Sequence, residues 1–116
     1  NNDTLDWISS KLGDGKIVGL VGLGFKPGTS VTTEGLAEKL LKMNKLSNKE
    51  IVVYDTYSDS YNNISSGGNI ATINIATDLE DLCETADTII LCNGDSSYDY
   101  KKIPSNLNII DPWRVL

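Results

Sequence analysis

Short apolar runs alternate with amphipathic segments along all 116 residues, with few residues spent between them. Lys16–Leu23, Ile51–Tyr54 and Thr88–Cys92 have strand length and no polar alternation, the pattern of strands covered on both faces. These two observations predict an α/β domain in three layers, with a five-stranded, mainly parallel sheet between helices.

The elements follow in chain order. Asp3 and Asp6 frame an N-cap, and Leu5, Ile8 and Leu12 at i, i+3 and i+7 give a short amphipathic helix ended by Gly13 and Gly15. The run 16–23 is the central strand, and Gly24–Ser30 is a loop punctuated by proline and glycine. A second helix is predicted over about 33–44, with Leu36, Ala37, Leu40, Leu41 and Met43 as its apolar stripe. Glu38 and Lys42 form a favourable i,i+4 pair, and Glu34 and Lys45 suit the helix dipole.

After the strand at 51–54, residues 56–69 are rich in Ser, Asn, Asp and Gly, and Ser65–Gly68 reads as a surface loop. A weaker strand falls within Thr72–Ile75. Thr77 and Glu80 fit a capping box for a helix carrying Leu79, Leu82, Cys83 and Ala86. Thr88–Cys92 is the clearest strand, a short helix starts near Ser97, and Leu107–Asp111 is the last strand. Right-handed crossovers then give a Rossmann-like strand order, 3-2-1-4-5.

Composition excludes several functions. Sixteen acidic against ten basic residues, a net charge of −6, argue against a nucleic-acid surface. No run of 18 apolar residues and no basic segment leading into an apolar one is present, so neither a membrane span nor a secretory signal is expected. The absence of histidine removes Ser-His-Asp and Cys-His catalysis, and two cysteines are too few for a zinc site. Cys83 in a helical stripe and Cys92 closing a strand read as buried free thiols in a reducing compartment, the cytoplasm, with a disulfide or a reactive thiol as the alternative. The chain begins at Asn1 rather than Met, which leads us to expect processing or excision from a longer protein.

In a sheet of this order, ligands bind beyond the carboxyl ends of the strands, at the switch point beside the first strand. Leu23–Ser30, Asp55, Cys92–Asp95 and Asp111–Arg114 are therefore expected around one crevice. Glycines 22, 24 and 28 either let backbone approach a phosphate or only pack a turn tightly. They do not form G-x-G-x-x-G, because Pro27 stands where the third glycine belongs. Lys26, the one basic residue of that loop, either neutralises a phosphate or is a solvated lysine. Asp55 either bonds a ribose or caps local amides. Arg114, the sole arginine, suits a phosphate or a surface ion pair.

Taken together, Gly22-Leu23-Gly24-Phe25-Lys26-Pro27-Gly28-Thr29, Glu34, Val53-Tyr54-Asp55, Ala86-Asp87 before an apolar strand, and Ile110-Asp111 resemble the C-terminal domain of UDP-glucose/GDP-mannose dehydrogenases. The resemblance spans about residues 16–116, and the G-x-FKPGT stretch is its specific part. It implies an excised or truncated UDP-sugar-binding domain at 16–116, with 1–15 as lead-in helix or linker. The parent would be an NAD-dependent enzyme that oxidises a sugar C6 alcohol to a carboxylate. It also implies that Phe25, Lys26, Gly28 and Thr29 bind the nucleotide sugar and that Arg114 reaches it from the last strand.

Thr33 stands where the family has an arginine reaching toward NAD, and Asp111-Pro112-Trp113-Arg114 replaces an Asp-Gly-Arg ending. The family's nucleophilic cysteine lies in a preceding region, and neither Cys83 nor Cys92 occupies its motif. The chain alone is therefore expected to be inactive. Its partners would be a UDP-sugar and the N-terminal NAD-binding domain of the same enzyme, with homo-oligomers formed only by the full-length protein. The alternative is a free-standing Rossmann-like nucleotide-binding module without a dehydrogenase role. An NAD-binding domain is disfavoured by the missing fingerprint. A two-component receiver is excluded because Gly24-Phe25 and Pro112-Trp113 stand where it needs acids and a lysine.

Overall fold

The computed structural model describes residues 2–33, 35–43, 46, 49–57, 59–66 and 73–116. Its elements are α1 (Asn2–Lys11), β1 (Ile17–Val21), α2 (Leu36–Leu41), β2 (Glu50–Tyr54), α3 (Asp59–Ser66), β3 (Ile73–Ile75), α4 (Leu79–Thr85), β4 (Thr88–Leu91), a 3₁₀ turn at Tyr100–Lys102, and β5 (Asn108–Ile110). The sheet order is β3-β2-β1-β4-β5, as expected, and all four pairings are parallel rather than mainly so.

The strand alternation divides the core between the two faces. Val18, Leu20, Ile51, Val53, Ile90 and Ile110 share one cluster with Ile8 of α1 and Ala37 and Leu40 of α2. Val21, Val52, Ile89 and Leu91 share the other with Leu79, Leu82 and Cys83 of α4. Gly19 lies under α4, where a Cβ would press on Leu82. Cys92 lies in the first cluster and Cys83 in the second, and both are free thiols. Among the described residues, no helix is long and apolar enough to cross a membrane.

Several boundaries differ from expectation, each for a local reason. α1 begins at Asn2, so Asp3 is in its first turn and neither Asp3 nor Asp6 caps it. α2 is confined to Leu36–Leu41, because the backbone at Gly35 is extended and its N–H bonds Thr32 O at 3.1 Å. The Glu38–Lys42 pair is formed at 3.4 Å, whereas Glu34, Asn44 and Lys45 lie outside the described residues. The stretch expected to be loop is α3, including Ser65 and Ser66. Gly67, Gly68 and Thr72 lie outside the described residues. The α4 cap sits one residue later than expected: Asp78 accepts the Asp81 N–H at 2.8 Å, and Asp81 accepts the Thr77 N–H at 2.9 Å. Two aspartates thus make the reciprocal cap expected of Thr77 and Glu80. Near Ser97 there is a turn, and helical geometry starts only at Tyr100.

Candidate functional site

Because every pairing is parallel, β1, β2, β4 and β5 release their chains on the same edge of the sheet. At Gly22, with φ +89°, the chain leaves β1 in a conformation that L side chains rarely adopt. The next amide, Leu23 N–H, donates to Asp55 Oδ2 at 2.6 Å, and Tyr57 N–H donates to Oδ1 at 2.7 Å. Asp55 is 4% exposed, and both its oxygens hold backbone amides. This matches the amide-capping reading. The Tyr61 hydroxyl completes the turn, accepting Asp55 N–H at 2.9 Å and donating to Asp55 O at 3.0 Å.

The next segment carries the exposed groups. Phe25 is 41% exposed, and its N–H donates to Val31 O at 2.8 Å. Lys26 is exposed, its ammonium 5.3 Å from the Phe25 ring centroid, and it has no ion-pair partner among the described residues. The chain folds back so closely that a Cβ on Gly24 would collide with Thr29 O. Thr29 Oγ1 accepts Val31 N–H at 3.2 Å, and Gly28 takes φ +83°. The result is a tight loop that holds an aromatic ring and an ammonium together at its tip.

A second loop braces the first. Asp95 is 4% exposed; its Oδ2 accepts Gly28 N–H and its Oδ1 accepts Ser97 N–H, each at 2.8 Å. Burial alone would raise its pKa, but these amide donors outweigh it and hold the carboxyl below the usual range. Asn93, also buried, accepts Asp95 N–H at 3.1 Å and donates toward Gly24 O at 3.4 Å. Sequence reasoning placed Cys92–Asp95 at the crevice without giving Asp95 or Asn93 a role. The available signal was Asn-Gly-Asp directly after an apolar strand, residue types that bond nearby amides in turns.

Arg114 lies apart from that loop. It takes φ +54° and lines a cleft of about 320 Å³ with Asp3, Thr4, Trp7, Asp111 and Pro112. Asp111 is occupied by the N–H groups of Val115 at 3.2 Å and Leu116 at 3.0 Å rather than by Arg114. Among the described residues no hydrogen bond or ion pair joins Arg114 to Phe25–Thr29. The two regions connect through the β4 loop, where Gly94 packs on Trp113 and Asp95 holds Gly28. A further cleft of about 230 Å³ opens beside Tyr54, Thr56, Asp78 and Tyr98. Burial pushes the Tyr98 hydroxyl well above its ordinary pKa, and the hydroxyl accepts Thr56 N–H at 3.3 Å.

No protein-family model and no curated protein matches the chain. Its fold is similar to part of the structure of a UDP-glucose dehydrogenase from the hyperthermophilic archaeon Pyrobaculum islandicum. The TM-score is 0.74 at 18% sequence identity, covering 95% of this chain and 25% of that one. At that identity the likeness establishes the fold, and this chain spans about a quarter of the length of the protein it resembles.

Proposed function

We propose that this chain is the UDP-sugar-binding domain of a cytoplasmic, NAD-dependent nucleotide-sugar 6-dehydrogenase of the UDP-glucose to UDP-glucuronate type, and that it does not catalyse alone. One observation carries the reading: an exposed Phe25–Lys26 pair on a braced loop at the ligand-binding edge of the sheet. In an acidic chain of net charge −6, a local ammonium that has no ion-pair partner among the described residues is what a diphosphate needs. Phe25 offers a ring face to the base or sugar. Gly28 and Thr29 keep the loop compact, and Arg114 would contribute from the neighbouring cleft beyond the last strand.

In this reading NAD is not expected to bind this chain strongly alone. Pro27 breaks the glycine fingerprint, and β1 ends at Val21 while α2 begins only at Leu36, a longer connection than the tight strand-to-helix turn of a dinucleotide site. The carboxylate at the end of β2 that would hold a ribose is committed to Leu23 and Tyr57. The dinucleotide, and the hydride transfer it supports, belong to the preceding NAD-binding domain in this reading. Residues 16–116 form the nucleotide-sugar unit, 1–15 lead into it, and oligomers form through the full-length enzyme.

Calorimetric titration with UDP tests the proposal. Half of a cleft should bind at about millimolar Kd, near 4 kcal/mol, and raised salt should weaken the binding. Heat that saturates equally well with uncharged uridine, and that is indifferent to salt, would contradict it.

A further inference from the structure

We infer that Asp95 is the positioning residue of the candidate site, its buried carboxylate holding the Gly28 end of the Phe25–Thr29 loop so that Lys26 meets a bound diphosphate. This rests on the nucleotide reading above and adds to it a residue outside the FKPGT segment.

The geometry makes the case. Within residues 25–28, two described hydrogen bonds tie the backbone elsewhere: Phe25 N–H to Val31 O, and Gly28 N–H to Asp95 Oδ2. The first stays inside the loop, whereas the second crosses to the β4 loop, which is anchored in turn by Cys92 N–H to Val21 O at 2.8 Å. Asp95 therefore links the Gly28 end of the Lys26 segment to the β4 loop, as Asn93 does at the Gly24 end. Its second oxygen holds Ser97 N–H, and its own N–H is held by Asn93, so the carboxylate is itself fixed. Charge-assisted bonds from amides to a carboxylate are among the stronger ones available to a loop.

Without this link, Gly28 loses the contact that selects its φ of +83°, and the loop must be ordered at the moment of binding. Because both oxygens of Asp95 are engaged by amides, its charge is committed locally and Lys26 stays available to a phosphate.

A double-mutant cycle on the whole chain, read by NMR titration with UDP, tests the inference. Asp95→Asn should weaken UDP about fivefold when Lys26 is present and less than twofold on the Lys26→Ala background, since coupled residues are non-additive. In the free wild-type chain the Gly28 amide shift should follow the protonation of Asp95, and Asp95→Asn should abolish that titration. Equal weakening in both backgrounds, no weakening, or a Gly28 amide indifferent to Asp95 would overturn the inference. Asp95→Glu, which keeps the charge and moves the acceptor, replaces Asp95→Asn if the latter does not fold, with the same expected cycle. If UDP leaves residues 22–30 unperturbed in the wild type, the nucleotide reading falls. The positioning role is then decided by amide exchange of residues 25–29: faster in the variant supports it, unchanged overturns it.

Discussion

Single side chains divide into those that hold the fold and those left free. Lys26 belongs to the second group: its contact with Phe25 is an exposed cation–π pair, worth about 0.5–1 kcal/mol at most. Lys26→Ala should therefore leave thermal stability within about 1 kcal/mol while weakening UDP about tenfold, the worth of one charge-assisted bond. A matched loss of stability and affinity would place Lys26 in the fold instead.

The thiols belong to the first group. Burial pushes the Cys92 thiol far above its ordinary pKa, and burial, followed by the Glu80 carboxylate, raises Cys83. Thiolate is scarce at neutral pH in both cases, so a thiol reagent should label the native chain slowly and the urea-unfolded chain fast. Cys92→Ala should cost about 1 kcal/mol or more without a selective effect on UDP. Rapid native labelling would overturn that placement.

At the scale of elements, two aspartates fasten the ends of helices and strands. Asp78 caps α4, and Asp78→Ala should cost about 1 kcal/mol in chemical denaturation. Asp87 ties the start of β1 to the start of β4 by accepting the N–H groups of Lys16 at 2.9 Å and Ile17 at 3.1 Å. Burial would raise its pKa, but those amides, the Thr88 hydroxyl and nearby Lys49 lower it overall. A carboxyl depressed in the folded state contributes stability that is present above its unfolded pKa of about 3.9 and lost as pH falls through the folded value. Denaturation midpoints should therefore drop below about pH 4, and Asp87→Asn should flatten that acid limb. An unchanged limb would mean that other carboxylates set it.

The same elements show what could be read without coordinates. The strands were legible because a parallel sheet covered on both faces demands continuous apolar runs, and Ile51–Tyr54 and Thr88–Leu91 supply them. α3 was not, because its Ser and Asn residues favour turns on local grounds. What anchors it is the Tyr61 hydroxyl on the Asp55 backbone, a contact along the chain's fold rather than a propensity. The Phe25–Thr29 loop was legible from its Gly-Pro punctuation and resemblance. The Asp95 link was not, because Gly28 and Asp95 are far apart in sequence and meet only once β1 and β4 pair.

For the whole molecule, the fold is that of a five-stranded parallel α/β domain similar to a quarter of a UDP-glucose dehydrogenase. The site offers one loop ammonium and one exposed ring, with a guanidinium in a separate cleft. Purified chain incubated with UDP-glucose and NAD should accordingly form no NADH; sustained formation by pure protein would contradict the proposal. The most direct measurement is NMR chemical-shift mapping with millimolar UDP. We expect saturable shifts centred on Gly22–Ser30 and reaching Asp95, with Asp111–Arg114 affected more weakly, since Arg114 lines a separate cleft. Saturable shifts confined to residues far from those loops would contradict the account.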